Sequence, residues 1–451
     1  MTDRLLVIGS DAGGMTAAAQ ARRRRSRDEL AIVGFDRGPH TSVSTCGIPF
    51  YVGDLIHEPD QLIVRTVEEF RAAGIDVHVE HEVTVIDVAQ RRLHVRGPDG
   101  ERVEPFDQLV IATGATPRRP ELPGVRAQGV FGVQTLRDGI ALRTAVDAGA
   151  QRAVVVGGGY IGLEMAEALH RRGLKVCVLD RAEQPMNGLD PDMGALVADA
   201  MRALGIEVHL HVQVDAFASD DDGRVDAVHT SAGVFPADFV VLGLGVQPRS
   251  DLAAAAGIAI GETGGIVTDS RMATSVDGIW AAGDCVEMTH RITGRPVAIA
   301  LGTHANKQGR VVGINATGGS ITFPGVIGTA VTKLCEHEVG RTGLSEREAV
   351  AAGFTAVAAR IESNTRAGYY PGGGPITVKL VADSSSGRLL GAQVIGREGA
   401  AKRIDVLATA IWNEMTVDDF SQVDLGYAPP FAPVWDPVLI AARKVAAELP
   451  A

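Results

Sequence analysis

The sequence predicts an α/β chain built from two doubly wound units of like design, followed by a separate α+β domain. Three observations predict it. A glycine-rich turn between an apolar strand and a helix occurs twice: LLVIGSDAGGMTAAAQ, with Gly9, Gly13 and Gly14, and AVVVGGGYIGLEMAEAL, with Gly157, Gly159, Gly162 and then Glu164. An apolar strand entering a Gly/Pro turn also occurs twice, as FDQLVIATGATPR and ADFVVLGLGVQPR, so the halves read as copies of one architecture. From about residue 325 the pattern changes to recurring strands closed by helical stretches around 399–414 and 436–447.

Residues 1–36 read strand, turn, helix, strand. The first glycine of such a turn allows the tight bend, and the middle position lets backbone approach a pyrophosphate. The last lets helix and strand pack closely, with the helix N-terminus facing the phosphates. Two such turns imply two dinucleotide sites, the usual pair being FAD and a nicotinamide nucleotide. The second turn fits G-x-G-x-x-G in full. The first departs from it, because Asp11 stands at the middle position, where a carboxylate repels a pyrophosphate unless it points away. Asp36 closes LAIVGFD and Asp180 closes KVCVLD, at the strand ends where an acid accepts hydrogen bonds from a ribose. The first helix ends in a basic run, Arg22 to Arg25 and Arg27, which reads either as a solvated helix end or as a site for a phosphorylated ligand.

Short alternating strands fill 75–112, a second strand-helix-strand unit fills 153–180, and DGIWAAGDCVEM (277–288) is a third apolar strand ending in a glycine and an acid, Gly283-Asp284. A helix rich in small residues follows at 301–319.

Composition bounds the class. The 451 residues carry a net charge of -12, which argues against a nucleic-acid partner. The sequence has no long apolar span and no signal peptide, so a cytoplasmic protein off the membrane is expected. The four cysteines, Cys46, Cys177, Cys285 and Cys335, show neither C-x-x-C nor metal-ligand spacing, and no metal is expected. Cys177 lies in an alternating apolar strand and reads as a small core residue. Cys46 lies in TSVSTCGIPFYVGD, a loop of glycine, proline and small hydroxyl residues just after the first unit. The positions that would hold a C-x4-C partner are Thr41 and Tyr51, so Cys46 has to cycle as a single thiol. Because the thiolate is the reactive form, the site is expected to lower the Cys46 pKa.

These residues resemble the flavin-dependent pyridine nucleotide-disulfide oxidoreductases, in their single-cysteine branch of coenzyme A-disulfide reductases, CoA-persulfide reductases, NADH oxidases and NADH peroxidases. The likeness covers nearly the whole chain and rests on the two turns, IATGATP (111–117), AAGD (281–284), LGTHANKQGR (301–310) and the C-terminal strings AGYYPGG, GAAKRIDVLATA and GYAPPF. The coenzyme A-disulfide reductase pattern S-F-x-x-C-x-x-P-Y is matched by Ser42, Cys46 and Pro49, with Val43 and Phe50 as departures. The oxidases and peroxidases place a histidine where this chain has Ala12, which removes their acid-base partner.

The resemblance implies two Rossmann-like (three-layer ββα) dinucleotide-binding domains, with FAD at 1–112 and 245–324 and NAD(P)H at 113–244, and a C-terminal dimerisation domain at 325–451. It implies Cys46 as redox centre, with Tyr427 and Tyr369 as acids reaching across a homodimer interface. The implied cofactor set is Gly9, Ala12, Gly13, Gly14, Asp36, Arg37, Ser42, Thr113, Gly114, Gly157, Gly159, Tyr160, Ile161, Gly162, Glu164, Asp180, Arg181, Gly245, Gly283, Asp284 and Ala305. Asp180 favours NADH, while Arg181 suits the 2'-phosphate of NADPH. Gln20, Arg22, Arg23 and Ser42 are the implied contacts to a small-molecule substrate: CoA disulfide, a persulfide or another low-molecular-weight disulfide. The implied reaction is NAD(P)H-dependent reduction of that disulfide or persulfide. The alternative is an NAD(P)H oxidase or diaphorase serving oxygen, a quinone or a small redox protein.

Overall fold

The computed structural model describes residues 2–450. Strand β1 (Asp3–Ile8) leads through the first glycine turn into α1 (Ala12–Arg24) and back to β2 (Leu30–Phe35). A single turn of 3-10 helix at Thr45–Gly47 carries Cys46 into the short helix α2 (Ile48–Val52). Strands β3 (Asp76–His78) and β4 (Gln108–Ile111) complete the first half, and an antiparallel three-stranded sheet over 82–105 lies between them in sequence.

The second half repeats the plan. It holds β5 (Val130–Gly132), β6 (Arg152–Val156), α3 (Tyr160–Arg171), β7 (Lys175–Leu179), β8 (Glu207–His209) and β9 (Phe239–Leu242), with a second antiparallel sheet over 214–236. The chain then returns to the first sheet with β10 (Ile279–Ala281) and α4 (Gly302–Asn315). The two parallel sheets run β10-β4-β1-β2-β3 and β8-β7-β6-β9-β5.

Both faces of each parallel sheet are covered, so its strands are near-continuous apolar runs. Alternation sorts the side chains of the second sheet. Val155, Val176 and Val178 pack with Leu163 and Leu169 of α3, whereas Val154, Cys177 and Leu179 pack with Phe217 and Val228 of the antiparallel layer. In the first unit, α1 and α4 meet closely. A Cβ on Gly309 or Gly313 would run into the carbonyl oxygens of Gly13 and Ala17, so only glycine permits this approach. Ala115–Pro117 and Val246–Pro248 pair where the chain crosses between the units.

The C-terminal domain is an antiparallel sheet of β11 (Ala330–Leu334), β12 (His337–Gly343), β13 (Ala356–Asn364), β14 (Pro375–Asp383) and β15 (Leu389–Gly396), in the order β11-β12-β15-β14-β13. Helices α5 (Ala400–Trp412) and α6 (Pro437–Ala446) share its core. A polar lock fixes this domain to the second unit. Lys379 Nζ lies 3.2 Å from Asp190, 2.9 Å from Asp192 and 3.1 Å from Glu346, and Gln393 Nε2 donates to Asp190 at 2.6 Å. Lys379 and Asp190 are both buried, so each needs the other's charge.

Candidate active site

The two glycine turns have nearly the same main-chain form. Gly9 and Gly157 have φ of 101° and 98°, a region only glycine adopts without strain. A Cβ on Gly14 would strike the Gly9 carbonyl oxygen, and one on Gly162 the Gly157 carbonyl oxygen. In the first turn, Ser10 N–H and Oγ donate to Asp36 Oδ2 at 2.8 and 3.0 Å, and Gly38 N–H donates to Oδ1 at 2.8 Å. In the second, Gly158 N–H donates to Asp180 Oδ2 at 2.6 Å and Ala182 N–H to Oδ1 at 2.8 Å. Each acid thus holds its turn in shape from the end of the next strand.

The loop bearing Cys46 is fastened to the first turn. Ser42 N–H and Thr41 Oγ1 both donate to the Ser10 carbonyl, at 2.9 and 2.7 Å. Ser42 takes a φ of 51° to do so. Asp11 lies beside the same fastening, where the main-chain N–H groups of Ala12 and Val43 favour its charged form. Protein surrounds Asp11 on most sides although it remains open to solvent. Burial, then repulsion from Asp36 and Asp284, pushes its carboxyl up to about 7. Burial alone pushes Asp284, which follows β10, up to about 6.

Cys46 feels groups from both units. Burial first, then the charges of Glu164, Asp284 and Asp11, push its thiol up. The protein's own groups run against the expectation of a lowered pKa, because the side-chain charges that act on the sulfur are those of acids. The features here that favour a thiolate are the main-chain N–H of Cys46 itself and the α2 N-terminus that begins two residues on. Glu164 is itself pushed up by burial and accepts from Thr332 Oγ1 of β11 at 2.8 Å. Burial likewise pushes the phenol of Tyr160, at the start of α3, up. Among the described residues all four cysteines are free thiols; Cys177 and Cys285 are buried, and Cys46 is exposed.

The expected residues fall into separate groups. Gly13 packs on Ala282, and Ala305 of α4 lies beside Gly283. Thr113 and Gly114 are tied to Arg249 at the crossing between units, where Thr113 Oγ1 donates to the Arg249 carbonyl at 2.6 Å. Arg118 N–H donates to the Gly245 carbonyl there at 2.9 Å. Arg37 and Arg181 are exposed, next to Asp36 and Asp180. The guanidinium of Arg22 binds the main-chain carbonyls of Gly74, Arg25 and Leu30 at 3.1, 3.0 and 2.7 Å, which is a structural use. Arg23 and Gln20 point outward together, 3.4 Å apart. Tyr369 and Tyr427 are exposed on the C-terminal domain with hydroxyls 3.4 Å apart, and neither is hydrogen-bonded to Cys46 of the same chain among the described residues.

Sequence reading missed two supporting residues. Gln308 of α4 is fully buried and accepts the Gly283 N–H at 2.7 Å, while its Nε2 has no partner. Thr332 holds Glu164. Both partnerships join distant parts of the chain, and no local motif encodes them.

The glycine cradle and the unmet Gln308 donor beside Gly283-Asp284 both fit a bound dinucleotide at the first turn. Two dinucleotide cradles in one chain define an oxidoreductase that takes electrons from a nicotinamide nucleotide. The family model "Pyridine nucleotide-disulphide oxidoreductase" matches residues 3–309, and that family's dimerisation domain matches residues 329–437. The chain belongs to this family, is an enzyme, and uses FAD and NAD(P)H. It is 39% identical over 446 residues to the NAD(P)H coenzyme A polysulfide/persulfide reductase of Pyrococcus horikoshii, covering 98% of each chain. It is 29% identical to the coenzyme A disulfide reductase of Staphylococcus haemolyticus, covering 95% of this chain and 96% of that one. The structure of an NAD-dependent persulfide reductase from A. fulgidus superposes with a TM-score of 0.96 at 38% identity, covering 99% of this chain and 83% of that one.

Proposed function

We propose that the enzyme reduces a low-molecular-weight disulfide or persulfide of the coenzyme A type, with Cys46 as its single redox-active sulfur. The observation that carries this reading is the placement of Cys46. It is an exposed thiol within the influence of Asp11 and Asp284 from the first unit and Glu164 from the second.

As thiolate, Cys46 attacks one sulfur of the substrate. The S–S bond breaks, a mixed disulfide forms on Cys46, and the other half leaves as a thiolate. Gly9, Gly13, Gly14, Asp36, Gly283 and Asp284 would hold FAD, which when bound would relay two electrons from NAD(P)H to the mixed disulfide, so that Cys46 returns to the thiolate and the second thiol leaves. The balance is one disulfide, one NAD(P)H and one proton giving two thiols and NAD(P)+. With a persulfide the products are one thiol and hydrogen sulfide.

The nucleotide is held by Gly157, Gly159 and Gly162. Asp180 supports NADH, and the exposed Arg181 beside it supports use of NADPH as well. Arg23 and Gln20 are the groups free to meet substrate phosphates. Exposed Tyr369, Tyr427, Phe431 and Trp435 form the surface that a second copy covers, so the working unit is a homodimer and the tyrosines serve the partner's sulfur as proton donors. Among the described residues no helix is long and apolar enough to cross a membrane.

The test is anaerobic NADH oxidation with CoA disulfide, CoA persulfide and glutathione disulfide, set against oxygen and a quinone. Turnover with a CoA substrate well above that with oxygen supports the reading. Equal or faster turnover with oxygen or quinone supports the oxidase alternative, against which Ala12 stands.

A further inference from the structure

A second thiol lies outside this machinery. Cys177 is on β7 and pairs in register with Glu207 on β8, the edge strand of the second parallel sheet. Residues opposed across a sheet share a face, and so do residues two apart on one strand. Cys177, Glu207 and His209 therefore converge on the face that meets the antiparallel layer, where the His209 ring packs edge-on against Phe235 with centroids 4.8 Å apart. The ligating atoms of the three residues all lie within 4.8 Å of one another, and His209 Nε2 is 3.6 Å from a Glu207 carboxylate oxygen. Nitrogen and oxygen ligands on one tetrahedral zinc ion stand about 3.3 Å apart, so small side-chain rotations close the set. The backbones need not move, because parallel hydrogen bonding already fixes them.

We propose that Cys177, Glu207 and His209 bind one zinc ion, through Sγ, a carboxylate oxygen and Nε2. The thiol proton leaves to solvent as the S–Zn bond forms. A thiolate with imidazole and carboxylate selects zinc over magnesium or calcium, whose ligands are oxygens. Three protein ligands leave the fourth position to water, so the ion exchanges and a chelator removes it. Burial differs across the set: Cys177 is 9% exposed, and the Glu207 side chain is 70% exposed, which gives the ion a path in from solvent. The site lies next to the nicotinamide turn, since Asp180 N–H donates to the His209 carbonyl at 2.9 Å. Cysteine spacing alone carries no trace of it, because strand pairing assembles the ligands.

The test loads FAD-bound enzyme with zinc, removes excess by gel filtration, and measures zinc content and the zinc-edge X-ray absorption fine structure. The expected result is one zinc per chain, with one sulfur at about 2.3 Å and nitrogen or oxygen neighbours at about 2.0 Å. Cys177→Ala and, independently, the half-exposed His209→Ala abolish retention, while Cys46→Ser leaves it unchanged. Three results overturn the proposal: no retained zinc, a shell without sulfur, or a sulfur shell that survives Cys177→Ala and disappears in Cys46→Ser. Flavin content and NADH-dependent dye reduction of each variant establish that it is folded.

Discussion

The two glycine turns share their outline but differ at the middle position. Gly159 leaves space there, its absent Cβ meeting only the Gly243 carbonyl oxygen at 3.9 Å. In the first turn the same position is Asp11, beside the loop of Cys46, where the main-chain N–H groups of Ala12 and Val43 favour its carboxylate. The second turn is thus a bare cradle. The first is both a cradle and an anchor for the loop that carries Cys46. An acid at this position is less charged than a free carboxylate, because burial and then the charges of Asp36 and Asp284 raise its pKa.

Six substitutions probe that difference. Cys46→Ser removes the sulfur but leaves both cradles, so disulfide reduction falls by about three orders of magnitude or more while dye reduction persists. Steady-state assays of both activities check this, and equal loss of the two contradicts it. Gly157→Ala forces an alanine to φ 98° with its Cβ 2.5 Å from the Gly243 carbonyl oxygen. It costs about 3 kcal/mol in urea denaturation and raises the KM for NADH. Gly159→Ala raises the KM with stability unchanged, and a matching stability loss in the two variants breaks the account of the middle position.

Arg22→Ala leaves the carbonyls of Gly74, Arg25 and Leu30 without their donor and lowers stability by about 1–2 kcal/mol, with little change in substrate KM. Arg23→Ala does the reverse, and denaturation curves with substrate titrations separate the two. The smallest effect concerns pH. Asp11 and Asp284, raised to about 7 and about 6, keep protons in the folded protein that the unfolded chain has already released. Their contribution to stability is full below the ordinary carboxylate range and is lost as pH rises through 6 to 7. Thermal melts of FAD-free protein from pH 5 to 8 therefore fall more steeply for the parent than for Asp11→Asn, and parallel curves contradict this.

Much of this was legible in sequence, for a local reason. A positive φ and a close backbone approach both demand glycine, so Gly9, Gly14, Gly157 and Gly162 announce their geometry without tertiary context. The alternating strands and the change of pattern near 325 are equally local. Asp11 was readable as a departure, but its setting was not, because Asp36, Asp284 and the loop of Val43 come near it only in the folded chain. Arg22 read as a candidate phosphate ligand because its acceptors Gly74 and Leu30 lie on other segments. The direction of the Cys46 shift was hidden likewise, since Glu164 and Asp284 arrive from distant turns.

The most direct test of the central claim is an anaerobic NADH titration of the purified enzyme, followed at the flavin and long-wavelength bands with and without CoA disulfide. For enzyme first treated with CoA disulfide, so that Cys46 carries the mixed disulfide, the account predicts uptake of more than one equivalent of NADH per flavin, a long-wavelength thiolate–flavin band, and reoxidation by further CoA disulfide, with the extra uptake lost in Cys46→Ser. A single equivalent that bleaches the flavin without that band, reversed only by oxygen or a quinone, would contradict it.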